Sequence, residues 1–135
     1  MTPFVHLHVH SQYSLLDGAC RLADLVAAAA EQEVKAVALT DHGVMSGVID
    51  FYKRCQEAGV KPIVGCEMYV ARESRLERRG ENRGNPNDHL VLLARNAEGY
   101  LNLARLTSLA HLEGFYAKPR IDKPLLAQHS RGLIG

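Results

Sequence analysis

At 135 residues, with 47% hydrophobic and 23% charged side chains, the chain has the composition of one folded, packed domain or part of one. Its formal charge of +1 provides no global basic field for nucleic acid, so any such contact has to be local. No apolar run is long enough to span a bilayer, residues 1–10 lack the basic-then-apolar layout of a secretory signal, and the three cysteines (Cys20, Cys55, Cys66) have no framework spacing, which fits free thiols in a reducing cytoplasm.

The first expected element is a strand, Phe4-Val5-His6-Leu7-His8-Val9-His10-Ser11. Side chains at i and i+2 of a strand share a face, so His6, His8 and His10 are expected on one side and Val5, Leu7 and Val9 on the other. Several neutral imidazoles on one face suit a metal ion, and a solvent-facing edge strand is the alternative; the motif alone leaves both open. A loop follows, with a turn at Asp17-Gly18, and then a helix over Leu22–Gln32. Ala36–Thr40 is a short apolar run that predicts a strand buried on both faces, stopping at Asp41-His42-Gly43. A helix over Val48–Ala58 is ended by Gly59, with Cys55 as a small core residue, and Pro62–Val70 reads as the next strand.

Residues 71–88 change character. Arg72, Arg75, Arg78, Arg79 and Arg83 are mixed with acidic residues and chain breakers, which reads as a solvated loop or as an arginine-bearing flap over a phosphate. His89–Ala94 is a further strand, and Glu98–Glu113 a helix with a leucine-rich face. Tyr116–Asp122 is irregular; Asp122 caps a short helix that tolerates Pro124 and runs to His129, and Gly132–Gly135 opens one more strand. Strands alternating with helices predict an α/β fold with a parallel sheet, arranged as a closed or distorted barrel or as an open doubly wound sheet. Neither a dinucleotide-binding nor a P-loop glycine pattern is present.

In parallel β/α folds, chemistry collects at the carboxyl ends of strands. His8 and His10 end the first strand and Asp17 lies in the loop after it, Asp41 and His42 follow the second, and Glu67 lies late in the third. His89 breaks this rule by beginning the fourth strand. Asp17 also fits a plain turn, and Asp41 either an N-cap or the carboxylate that orients a ligand imidazole. Glu67 stands between Cys66 and Met68 in an apolar strand, where a carboxylate is costly unless paired or bound to a cation. His111 and His129 fall on helices away from strand ends and read as surface or packing residues. His8, His10, Asp17, His42, Glu67 and His89 together form a nitrogen–oxygen donor set that suits Zn²⁺, Mn²⁺ or Fe²⁺. Six donors exceed one tetrahedral zinc, so two or three ions bridged by Glu67 are expected, and clusters of that kind hydrolyse phosphate esters.

The segments His8-Val9-His10-Ser11, Thr40-Asp41-His42-Gly43, Gly65-Cys66-Glu67 and His89-Leu90 resemble the PHP (polymerase and histidinol phosphatase) family. Tyr13-Ser14-Leu15-Leu16-Asp17-Gly18, Gly59–Gly65, Gly99–Leu103 and Lys118-Pro119-Arg120-Ile121-Asp122 are similar to its bacterial replicative DNA polymerase branch. The resemblance implies a distorted seven-stranded β/α barrel, of which this chain covers roughly the first half, with up to three divalent ions. Their ligands are His8, His10, Asp17, His42, Glu67 and His89, with Asp41 and His6 beside them and Arg120 as a phosphate contact. The family's further ligands, in a Ser-Gly-Cys segment and an Asp-x-His pair, are expected beyond Gly135. The same resemblance implies DNA synthesis by a longer parent subunit, and a metal-dependent phosphoesterase or 3′–5′ exonuclease site in this domain. Its implied partners are DNA and other replicase subunits, including a proofreading exonuclease and a sliding clamp, in the cytoplasm and without a membrane. A scaffold that docks the proofreading subunit is the alternative, and a free-standing phosphatase is disfavoured by the polymerase-like segments.

Overall fold

The computed structural model describes residues 4–15, 17–78 and 87–135. Among these the elements run α1 (Leu22–Glu31), β1 (Ala36–Leu39), α2 (Val48–Ala58), β2 (Lys61–Val70), β3 (Asp88–Ala94), α3 (Ala97–Leu112), β4 (Arg120–Ile121), α4 (Lys123–Gln128) and β5 (Leu133–Ile134). Among the described residues no helix is long and apolar enough to cross a membrane.

The ten-residue β2 is the strand on which the others are hung. Its first half pairs in parallel with β1, from Ala36↔Lys61 to Leu39↔Val64. Its last two residues pair in parallel with β4, and a single His42↔Glu67 bridge lies between the two. The opposite edge, Gly65–Val70, pairs with β3. Alternation along β2 divides its side chains: Cys66, Met68 and Val70 enter a core with Leu92, Leu103, Leu106 and Ile121, while Glu67 and Tyr69 face the other way. A second core, built from Leu22 and Val26 of α1, Val37 and Leu39 of β1, and Phe51 and Cys55 of α2, anchors the neighbouring part of the sheet.

Helix ends follow the expected chemistry. Gly59 ends α2 at φ 70° and frees the chain to turn into β2. The Asn96 and Asp122 side chains accept from the backbone N–H groups of Gly99 and Leu125, capping α3 and α4.

Three expectations are corrected. The sheet is mixed, not parallel: β3 runs antiparallel to β2, and β5 antiparallel to β3. The direction of β3 explains why His89 begins its strand and still lies with the carboxyl end of β2, since Tyr69 pairs with His89. Residues 4–10 are extended but form no regular strand, touching β1 through a single His6↔Val37 bridge. Ala38 N–H donates to the His6 carbonyl and Thr40 N–H to that of Val9, so a three-residue step opposes a two-residue step and one residue is extra. An extra residue reverses the alternation, and His6 is thereby turned away from the side that His8 and His10 share. Tyr116–Asp122, expected to be irregular, contains β4.

The described arginines of 71–88 take partners outside the donor group. Arg72 pairs with Asp88, Arg75 with Glu113 and Asp122, and Arg78 donates to the Glu113 carbonyl. Arg75 and Arg78 fasten this excursion to the end of α3 and the cap of α4, and Arg72 ties it to the start of β3. Arg79 and Arg83 lie outside the described residues.

Candidate metal centre

Six of the sequence-expected residues converge. Glu67 is the hub: its side chain is only 5% exposed, and its Oε2 lies 2.6 Å from His8 Nε2 and 2.6 Å from His10 Nε2. His89 Nδ1 meets Oε1, and His42 Nδ1 stands 3.5 Å from Oε2. Asp17 closes the other side, with Oδ2 at 3.1 Å from His10 Nδ1 and 2.9 Å from His42 Nε2. Three overlapping donor groups result, His8–His10–Glu67, His10–Asp17–His42 and His42–Glu67–His89.

The electrostatics match the geometry. Burial on its own raises the Glu67 pKa, but the contacts with His8, His89 and His10, together with the charge of His42, outweigh it and hold the carboxyl down at about 2. Asp17 is also held below the usual carboxylate range, first by its hydrogen bond with His42 and then, against desolvation, by the charges of His42 and His10.

A cation fits this donor set better than hydrogen bonding does. The Nε2 atoms of His8 and His10 lie 3.1 Å apart while both face the same carboxylate oxygen. Donors on a tetrahedral zinc, each at about 2.0–2.2 Å from the ion, stand about 3.3 Å apart, which is close to the spacing here. His42 Nδ1 is buried without a hydrogen-bond partner among the described residues, and a stranded buried nitrogen of this kind is what a metal would satisfy.

Asp41 holds this arrangement from behind. Its buried carboxylate accepts from Ser11 N–H at 2.6 Å, Ser14 Oγ at 2.8 Å and Ser11 Oγ at 2.8 Å, and Ser14 Oγ in turn accepts from His42 N–H at 3.1 Å. Asp41 therefore fixes the backbone that carries His10 and His42 and does not touch an imidazole. Gly18 keeps the same loop tight, because a Cβ there would stand 1.8 Å from the Ser11 carbonyl oxygen. Asp41→Ala is expected to weaken metal binding by about 10–100-fold, the usual effect of losing a group that orients ligands. Competition against a chromophoric chelator measures this, and an unchanged affinity would count against the role.

Two expected residues stand outside the centre. The His6 ring packs edge-on against Phe4, at 4.7 Å between centroids. Arg120, expected as a phosphate contact, is 9% exposed, and its guanidinium donates to the carbonyls of Gly114, Arg75 and Glu77. The cation that does reach the rim of the site is Lys118, two residues earlier, whose Nζ lies 5.3 Å from the centroid of the Tyr69 ring. Tyr69 itself stacks on His42 at 5.6 Å and 14°. Its signal in the sequence was its i+2 spacing from Glu67, which puts both on one face of β2. His111, read as a surface or packing residue, has Nε2 3.0 Å from the Gly43 carbonyl oxygen, behind His42.

The sequence profile of the PHP domain matches residues 6–135. The chain is 51% identical over 131 residues to DNA polymerase III subunit alpha of Chlamydia trachomatis, and 55% over 131 residues to that of Treponema pallidum. It is 53% identical over 134 residues to that of Thermus aquaticus. Each alignment covers 97% of this chain and 11% of the relative, so the chain spans about a ninth of the length of these subunits. Among solved structures, an amidohydrolase from Chromobacterium violaceum with bound sulfate and no metal is similar at TM-score 0.56 and 26% identity, over 79% of this chain and 33% of that one. A candidate metal-dependent phosphoesterase from Bifidobacterium adolescentis is similar at TM-score 0.57 and 16% identity, over 82% of this chain and 34% of that one. The mixed sheet with its flanking helices is accordingly part of a β/α barrel. With the profile running from His6 to Gly135 and the likeness to the polymerase subunits extending over nearly every residue, the chain belongs to the PHP domain family.

Proposed function

We propose that this chain carries a divalent-metal centre that hydrolyses phosphate esters, within a PHP domain belonging to a replicative DNA polymerase subunit. The observation that carries the reading is the convergence of four imidazoles on the buried Glu67 carboxylate, with His42 Nδ1 left unpartnered. His8, His10, Asp17, His42, Glu67 and His89 would hold the ions, Zn²⁺, Mn²⁺ or Fe²⁺ and up to three in the whole domain. When bound, such ions supply a nucleophile acidified to neutral pH and neutralise charge on the phosphoryl oxygens. The protein's own part is to keep the buried Glu67 ionised, to fix the His10 loop through Asp41, and to present the open side, where His8, Asp17 and His89 are half exposed, to substrate. The kinship with polymerase subunits points to DNA as that substrate, cut from its 3′ end. It also points to a cytoplasmic replicase, with a proofreading exonuclease and a sliding clamp as partners, and to a parent that polymerises deoxynucleotides. Because the chain covers 33% and 34% of its structural neighbours, we take it as the first part of a larger barrel.

Elemental analysis and a chelator-sensitive assay on primer-terminal DNA test this in the full polypeptide that carries the sequence. Bound transition metal is expected, together with a fall in hydrolysis of at least about 100-fold in His10→Ala, since losing a ligand should exceed the 10–100-fold cost of losing a group that only orients one. An absence of bound metal, or equal rates in the two proteins, would overturn the hydrolase reading and leave a docking scaffold.

A further inference from the structure

Next to the metal centre, and outside its ligand set, is a cavity of about 170 Å³ lined by Tyr13, His42, Tyr69, His111 and Lys118. His42 is its shared wall, being also a member of two of the three donor groups. The cavity is smaller than the ~300 Å³ at which pockets for drug-sized ligands begin, so it suits a small group and not a whole nucleotide. One of its walls is cationic. Lys118 stands over the Tyr69 ring, and among the described residues no carboxylate pairs with it.

The local backbone is built to hold Lys118 there. Ala117, immediately before it, adopts φ 59°, a left-handed conformation that an L-residue with a Cβ adopts only at some cost. Pro119, immediately after it, is buried against Gly43, where φ is 63° and a Cβ would come within 2.7 Å of the proline ring. Gly43 follows His42 directly and donates its N–H to the Glu67 carbonyl at 2.8 Å. The loop bearing Lys118 is thus seated on the same short segment that carries a metal ligand. Aromatic faces attract the ammonium and keep it beside the site, while its three N–H donors stay available.

We propose that Lys118 is the anion-binding residue of this centre, and that the cavity between Tyr69, His42 and Lys118 receives the phosphate group of the substrate. The inference deepens the phosphoesterase reading and rests on it for the identity of the substrate. Lys118 supplies a charge-assisted hydrogen bond to a phosphoryl oxygen, on the side where Asp17 and Glu67 would otherwise repel an anion. It touches no metal-ligand atom, so its removal should separate phosphate binding from metal binding.

The test is calorimetric titration of inorganic phosphate into the full polypeptide, both metal-free and loaded with Mn²⁺, at constant ionic strength. Lys118→Met removes the charge and keeps an apolar stem on Tyr69, Lys118→Ala removes both, and Lys118→Arg keeps the charge; circular dichroism confirms that each is folded. Expected are phosphate affinity about tenfold weaker in the Met and Ala variants, largely retained affinity in the Arg variant, and the same Mn²⁺ stoichiometry throughout. Equal phosphate affinity in wild type and both charge-removing variants, or no measurable phosphate binding in either form, would overturn the proposal. If the polypeptide takes up no metal, the phosphoesterase reading fails separately. The metal-free titrations then decide on Lys118: a loss confined to the Met and Ala variants supports its role, and no difference refutes it.

Discussion

If Glu67 is a ligand as proposed, Glu67→Gln is expected to bind transition metal at least about 100-fold more weakly than the wild type, because losing a ligand should exceed the 10–100-fold cost of losing a group that only orients one. Glutamine keeps the size and branching of the side chain but gives up its charge. One of its two positions becomes an NH₂ group that donates where a cation needs a lone pair. Glu67 belongs to two of the three donor groups, so a single substitution removes a shared corner of both. Isothermal titration with Mn²⁺ or Zn²⁺ measures the effect, and unchanged affinity would remove Glu67 from the centre.

The same variant carries a pH signature in metal-free protein. The native Glu67 carboxyl titrates at about 2, below the ordinary value of about 4.3. Its folded pKa is depressed, so the stability it contributes is present in full above the unfolded value and fades as pH falls from there towards about 2. Urea unfolding of the wild type should therefore show acid-dependent loss across that window, and Glu67→Gln should show a shallower slope.

Arg120→Ala is expected to destabilise the fold by about 3 kcal/mol or more, in the range for breaking a buried charged hydrogen-bond network. The guanidinium is nearly buried and donates Nε–H to the Gly114 carbonyl at 3.0 Å, and Nη2–H to the carbonyls of Arg75 and Glu77 at 2.8 and 2.9 Å. Desolvation, with Arg78 nearby, pushes its pKa below that of a free arginine, so the carbonyls and the Tyr116 ring 5.4 Å away are what sustain the charge there. Removing it strands those carbonyls and unfastens the 71–78 segment from the end of α3. Urea denaturation reads the loss, while metal and phosphate affinity should be unchanged in the folded protein. The reverse pattern, preserved stability with lost phosphate affinity, would restore Arg120 as a phosphate contact.

That these six side chains would converge was legible in the sequence, because several of them are costly where they stand. A glutamate between Cys66 and Met68 and a His-x-His at the start of an α/β pattern demand partners, and the partners proved to be each other. Geometry that depends on tertiary hydrogen bonding was not legible. The alternation over Phe4–His10 is unbroken in sequence, and only the pairing of His6 and Val9 with β1 reveals the extra residue that separates His6 from His8. Hydrophobic pattern carries no strand direction, so β3 could be read as parallel; the clue lay in His89 standing at the wrong end of its strand. Lys118 and Arg120 are neighbouring cations in one motif, and acceptors more than 40 residues away in sequence decide which of them is buried.

The antiparallel pairing of β2 with β3 also bears on how the centre assembles as the chain folds. Glu67 and His89 are 22 residues apart on a hairpin, whereas His8 must be brought to Glu67 across 59 residues. Loop-closure entropy growing as (3/2)RT ln n makes the longer closure costlier by about 0.9 kcal/mol, and the shorter one comes with a ladder of backbone hydrogen bonds. The hairpin half of the group is therefore favoured to form early, as a paired carboxylate and imidazole. The amino-terminal histidines, though synthesised first, dock onto Glu67 later, and they close the cluster around its carboxylate.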